Sequence, residues 1–334
     1  MNIITTLECL PTDVYNHFDL KLSDLIRLAN TTKNMRELIL SSNIKISSVT
    51  TYSSHIKNWV RFILNVKLSN KTLNNIHLFS DVRTLNLSYT SVVDVSALAR
   101  VHTLNISWTK VVNVSALGRV HTLDLSNTNI VDISALRRVH TLNLAHTKVL
   151  DLSCLGKVHS LDIRFTKVVN VSDLGGVHTL NLIATKVVDV SMLGGVHSLD
   201  LTYTKIVDVS DLGGVDTLNL SYTKIVDVSA LGRVHTLDLS NTNIVDISAL
   251  GNVHTLNLSY TKVVDVSCLG KVNNIDLSRT NVVDISALGS VHTLNLSDTK
   301  VVDVSVLGRV HTLNLSYTNV VDFSALNSVY TLIK

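Results

Sequence analysis

Sorted into apolar and polar positions, the chain repeats itself. From Val82 onward a valine opens a similar segment every nineteen residues, at Val101, Val120, Val139 and so on to Val329, without one insertion or deletion. Since (329 − 82)/19 = 13, there are thirteen full copies and a stub that runs to Lys334. The consensus of a copy is V-H-T-L-N/D-L-S-x-T-K/N-V-V-D-V-S-A-L-G-R, with apolar residues at positions 1, 4, 6, 11, 14 and 17. Positions 2 to 7 alternate, as in His102-Thr103-Leu104-Asn105-Ile106, and a period of two predicts a strand with one buried face. The later apolar positions fall about three apart, which predicts a turning return path rather than a helix of ~10–12 residues.

One such unit cannot cover its own apolar face, so successive coils must lie on one another and share ladder hydrogen bonds. With parallel strands ~4.8 Å apart, the coils should form a rod on the order of 60–70 Å long. A degenerate upstream copy keeps the phase through Ile63, Val66, Leu68, Leu73, Ile76 and Phe79, as a capping unit would. Before it, Met35-x-x-Leu38-x-Leu40-x-x-Asn43 reads as an irregular repeat. Residues 35–81 are therefore expected to hold irregular or degenerate repeats, with 44–62 unassigned. Glycine fills position 18 in ten copies, from Gly118 to Gly308, and three of those copies carry a second glycine at position 19, which accounts for all thirteen glycines. A corner with positive φ is the expected demand there.

The repeat V-x-x-L-x-L-x-x-T-x-V resembles the leucine-rich repeat signature, and the following V-D-V-S-A-L is similar to the D-I-S-x-L segment of internalin-type repeats. The resemblance covers about residues 63–334. It implies a repeat solenoid with a parallel β-sheet on the concave face, and turns or short 3-10 segments on the convex side. Two features depart from the family. Nineteen residues is just under the usual span of about 20–29, which leaves no room for a convex helix. Thr90, Thr109, Thr128 and their equivalents also stand where the family usually has asparagine. A threonine hydroxyl is the expected substitute in the asparagine-to-backbone ladder.

Residues 1–34 do not repeat. Leu10-Pro11-Thr12-Asp13-Val14, Phe18 and Asp24-Leu25-Ile26-Arg27-Leu28-Ala29 read as short amphipathic helices, with Pro11 suited to one start and Ser23 to another. The pattern resembles the F-box, a helical unit that docks the Skp1 adaptor of a cullin ubiquitin ligase. That resemblance implies an adaptor-binding surface of Leu10, Pro11, Val14, Phe18, Leu25 and Leu28. The other reading of 1–34 is a helical cap over the first coil.

Composition narrows the function. Apolar residues make up 46% of the chain and charged residues 16%, which excludes a disordered chain. No apolar run reaches the ~20 residues of a membrane span. The start MNIITTLECLPTDV lacks the pattern of a secretory peptide. Cys9, Cys154 and Cys268 lie far apart and make neither a disulfide framework nor a thiolate cluster, so a reducing, cytoplasmic setting is expected. A net charge of +3 is too weak to argue for nucleic acid, and neither a nucleic-acid nor a membrane partner is expected.

Comparing copies shows which columns vary. Position 8 varies most, and at Tyr89, Trp108, Phe165, Tyr203, Tyr222, Tyr260 and Tyr317 it carries an aromatic ring. At the rim of the concave face these rings are the candidate anchors for a protein partner; the other reading is that they stack along the rod and cover the ladder. Histidine fills position 2 in ten copies from His102 to His311. Rings about 5 Å apart should resist protonating together, which predicts a broad titration centred below ~6.5. No metal or other cofactor is expected. Position 5 alternates Asn with Asp from Asp124 to Asp276, and position 13, Asp in eleven copies, should accept backbone N–H bonds beside the serine of position 15. Val93, Val112, Val131, Leu150 and their successors at position 12 should point outward, either in a second parallel ladder that favours β-branched residues or as an exposed apolar stripe.

No column supplies the convergent acid, base and nucleophile that catalysis needs, so the chain reads as a non-catalytic protein-interaction scaffold. Its most specific form is a substrate-recruiting F-box adaptor of a ubiquitin ligase. The alternatives are a plain binding or structural array capped by 1–34, and regular-lattice or ice binding through the Thr, Asn and Ser ladders.

Overall fold

The computed structural model describes the backbone of Asn43–Ile46 and Asn65–Leu68, of 76–80 and of 82–334. The F-box-like segment, including Leu10, Pro11, Val14, Phe18, Leu25 and Leu28, lies outside the described residues. The chain forms two compact units, residues 1–149 and 150–334.

In the first unit the strands are β1 (Asn43–Ile46), β2 (Asn65–Leu68), β3 (Thr84–Asn86), β4 (Thr103–Asn105), β5 (Thr122–Asp124) and β6 (Thr141–Asn143). Each pairs in parallel with the next. From β2 onward the register equals the sequence repeat, as in Val66↔Leu85 and Leu104↔Leu123. Between β1 and β2 the pair Ile44↔Val66 spans a longer step, 66 − 44 = 22 residues. The strand of that coil thus falls at the edge of the stretch that sequence left unassigned.

The second unit carries ten strands, β7 (Ser160–Asp162), β8 (Thr179–Asn181), β9 (Ser198–Asp200), β10 (Thr217–Asn219), β11 (Thr236–Asp238), β12 (Thr255–Asn257), β13 (Asn274–Asp276), β14 (Thr293–Asn295), β15 (Thr312–Asn314) and β16 (Thr331–Ile333). They too are parallel neighbours in chain order, position facing like position. Each strand is three residues long, positions 3 to 5, with position 4 turned inward between two polar neighbours.

The predicted core columns are the observed ones. In the coil that begins at Val196, the residues Val196, Leu199, Leu201, Ile206, Val209 and Leu212 are all at most 3% exposed. The return path holds a single 3-10 turn, such as Ser229–Leu231, in place of a helix. Position 13 anchors that turn: Asp227 Oδ1 accepts the Ser229 N–H at 2.9 Å, and Asn113 and Asn170 do the same for Ser115 and Ser172. This bond holds the carboxyls of Asp94, Asp132, Asp227 and their equivalents below the ordinary carboxylate range.

Two expectations change. No glycine has positive φ. Gly232, at φ −62° and ψ −9°, is helical in conformation, and its column is glycine because the next coil lies against it. A Cβ on Gly118 would sit 2.3 Å from the Ala135 carbonyl oxygen, and one on Gly232 would sit 2.5 Å from that of Ala249. The threonines of position 9 are buried in every copy from Thr90 to Thr299, and each hydroxyl donates within its own coil to the carbonyl three residues earlier, as Thr204 Oγ1 does to Leu201 at 2.6 Å. The side chain is too short to reach the neighbouring coil, and the carbonyl beside it takes the bond instead.

Candidate functional site

Each coil leaves its strand through one tight turn, and that turn builds the candidate site. In the coil of Tyr203, the carbonyl of Leu201 accepts the Thr204 N–H at 3.1 Å and the Thr204 hydroxyl as well. Asp200 Oδ1 accepts the N–H of Thr202 at 2.9 Å, and the Tyr203 N–H donates to the Ser221 carbonyl of the next coil at 3.2 Å. A four-residue turn with its third residue at positive φ is of the type II class, which normally selects Gly or Asn there.

This chain places neither as a rule. All thirteen residues of position 8 have φ between 54° and 61°. Asn127, Asn241 and Asp298 tolerate the left-handed region, whereas Tyr, Trp, Phe and Arg each sit in it at a cost of ~1–2 kcal/mol. Sequence reasoning found this column by its variability and missed its conformation. The signal was present in the turn chemistry around it: the Asn or Asp of position 5 two residues before a backbone N–H that it accepts, repeated at Ser107, Ser126 and Ser221.

The left-handed turn throws the side chain off the end of the strand and into solvent. Tyr89, Trp108, Phe165, Tyr203, Tyr222, Tyr260 and Tyr317 all lie exposed, from 47% at Tyr222 to 89% at Tyr317. In the first unit Tyr89 and Trp108 stack, centroids 5.6 Å apart. In the second, Tyr203 and Tyr222 stack at 4.4 Å, and the hydrogen bond that the Tyr222 hydroxyl donates to the neighbouring Tyr203 phenol favours its protonated form and raises the Tyr222 pKa above its ordinary value. Farther along that unit the Arg279 guanidinium lies 4.9 Å from the Tyr260 ring centroid, and its Nε is 3.2 Å from Asp298 Oδ2. At two places where aromatic residues of the column are neighbours, Tyr89 with Trp108 and Tyr203 with Tyr222, the rings stack, and the column stays exposed.

Beside the rim, positions 3 and 5 cover the open face of the sheet with Thr and Asn or Asp. The alternation at position 5 has a use: Asn257 Nδ2 donates to Asp238 Oδ2 and Asn295 Nδ2 to Asp276 Oδ2, each at 3.0 Å. At the opposite end of the strands run the histidines. His102, His121 and His140 stack at 4.6 and 4.5 Å, while His159, His178 and His197 meet edge to face at 4.6 and 4.5 Å. Partial burial, with His159 and His197 on either side, holds His178 below its ordinary pKa. Among the described residues no group of three or more His, Cys, Asp or Glu is placed to hold a metal ion. No helix among them is long and apolar enough to cross a membrane.

No family model matches the chain, and none of the curated protein sequences matches it. Solved structures do. An internalin, InlF of Listeria monocytogenes, is 22% identical over 92% of each chain with a TM-score of 0.60. A leucine-rich repeat protein of Leptospira interrogans is 16% identical, covering 98% of this chain and 97% of its own, with a TM-score of 0.70. The mouse RP105/MD-1 complex matches at 16% identity over 85% of this chain and 60% of that one, with a TM-score of 0.64. With parallel three-residue strands in register, one 3-10 or simple turn on each return and structural neighbours of this kind, the chain has the leucine-rich repeat fold.

Proposed function

We propose that this protein is a non-catalytic interaction scaffold that holds a protein partner against the open sheet face, with the aromatic column as its anchor. The observation that carries the reading is the conformation of position 8. Bulky rings occupy a left-handed turn residue that Gly or Asn would fill at lower cost, and they leave their faces in water. A strained, exposed aromatic costs stability and gains contact area, which is the pattern of an interface anchor. The RP105/MD-1 structure, a complex on the same fold, supports the reading.

A finer proposal is that the scaffold recruits substrates for ubiquitin ligation, with residues 1–34 docking a Skp1-type adaptor. Its support is the Leu10-Pro11 and Asp24-Leu25-Ile26-Arg27-Leu28 pattern.

Co-purification from eukaryotic lysate tests both, using wild type, a chain lacking 1–34 and the variant Tyr203→Ser/Tyr222→Ser/Tyr260→Ser. Partners lost from the serine variant but kept by the truncated chain are those of the aromatic column. Recovery of a Skp1-type protein only when 1–34 is present supports the adaptor. Partners captured equally by wild type and the serine variant would refute the aromatic anchor.

A further inference from the structure

A second column is as regular as the aromatic one and lies on a different stretch of each coil. In the second unit, position 12 is Leu150 followed by nine valines, Val169 to Val321, and each is more than half exposed. A second parallel ladder does not account for them. No strand is assigned there, and the backbone contributes one inter-coil bond, Lys186 N–H to Val168 C=O at 3.0 Å. Over the same copies position 8 drifts through Phe, Ala, Tyr, Asn, Arg and Asp.

The stripe is bordered by two rows of opposite sign. On one side stand exposed Lys167, Lys186, Lys205 and Lys224 of position 10, alternating beyond them with asparagine as at Asn243 and Asn281; on the other stand exposed Asp189 and Asp208 and the later aspartates of position 13. Between successive coils the acidic side forms shallow depressions. One is walled by Val188, Asp189 and Ser191 with Asp208 and Ser210, and another by Val226, Asp227 and Ser229 with Asp246 and Ser248. Each offers two carboxylates to an incoming cation.

We infer that this face docks a second copy of the same chain, with the valine stripes in contact and each lysine row seated on the partner's aspartate row. Charge pattern selects the occupant and its orientation. A two-fold axis parallel to the stacking direction reverses the chain direction across the face, so lysines meet aspartates on both sides of the stripe. An axis across the stack would set like charges against each other. Size agrees: ten half-exposed aliphatics offer on the order of 500 Å² of apolar surface, and the flanking rows bring each side toward the ~800 Å² of a standard interface. A lone apolar patch of that extent is already at the upper end for a monomer.

Sedimentation velocity of the full chain over a concentration series tests the inference. Wild type should show a monomer–dimer equilibrium. The variant Val188→Thr/Val207→Thr/Val226→Thr/Val245→Thr keeps β-branching and shape while removing the apolar surface, and should raise the dimer dissociation constant at least tenfold with an unchanged circular dichroism spectrum. Lys186→Glu/Lys205→Glu/Lys224→Glu should be monomeric alone, and should form a heterodimer when mixed with Asp189→Lys/Asp208→Lys/Asp227→Lys. A wild type that stays monomeric throughout, or a threonine variant that dimerises like wild type, overturns the inference. Should the aspartate variant fail to fold, the threonine and lysine variants still decide the question.

Discussion

Replacing Gly232 by alanine sets two physical effects against each other, and the structure decides the sign. At φ −62° and ψ −9°, alanine adopts the backbone freely, and Ala99 already occupies the same position at φ −57°. Were conformational freedom the issue, restricting the unfolded chain would stabilise the variant by about 0.4–1 kcal/mol. The new Cβ, however, would lie 2.5 Å from the Ala249 carbonyl oxygen, against about 3.4 Å for ordinary contact, so the two coils must part by 3.4 − 2.5 = 0.9 Å. A gap of that size forfeits roughly a quarter to a half of the contact energy of the groups pulled apart, and overpacking of this kind costs ~1–3 kcal/mol. The net expectation is a loss of about 1–2 kcal/mol, read as a lower urea midpoint at unchanged slope. A graded series strengthens the test. The cost should fall from Gly194, where the contact is 2.3 Å, through Gly232 to Gly270 at 2.9 Å and Gly195 at 3.0 Å. A Gly232→Ala protein as stable as wild type, or more so, would refute the close-approach account.

Ala184 sits at φ 54° with no side chain to offer a partner, so Ala184→Gly should raise thermal stability by up to ~1 kcal/mol as relief of strain outweighs the added freedom of the unfolded chain; a lower melting temperature would count against strain at this column. The position-13 aspartates have folded pKa values below the usual 3.8 because Asp227 and its equivalents accept a backbone N–H. Their contribution to stability is therefore complete above about pH 3.8 and is lost as the pH falls through the lower folded values. Asp227→Asn/Asp246→Asn/Asp265→Asn, which keeps the acceptor, should flatten the acid limb of the urea midpoint against pH, and an unaltered limb would remove the assignment. His178 is held below 6.5, so its contribution is present above that pH and declines below it; an NMR titration should place His178 under 6.5, and a value at or above that would contradict the packing described.

Much of the fold is legible in the chain. The nineteen-residue rhythm names every apolar buried column, a strand within positions 2 to 7 and the stacking of like position on like position, because burial in a stack is a periodic property that each copy records in its own side chains; the buried threonines of position 9 it did not name. Asp-x-Ser at positions 13 to 15 likewise announced its local bond, which involves only neighbours in sequence. The aromatic column was visible as variation among otherwise constant copies, and the outward valines as an apolar residue directly after a buried one.

What the tertiary structure alone decided are matters of backbone conformation and close approach. Thirteen glycines in one corner invited a reading of positive φ, yet the left-handed residue is Tyr, Trp or Ala at position 8. Nothing in a single copy says that the carbonyl of Ala249 will lie over Gly232, since that oxygen belongs to the next coil and arrives only when the coils stack. For the same reason the threonine hydroxyls turned back on their own coil: reach is a matter of inter-coil distance, which side-chain periodicity does not contain. A repeat specifies by itself which faces are buried; how near two buried backbones come, and which torsions that distance forces, exists only in the assembled stack.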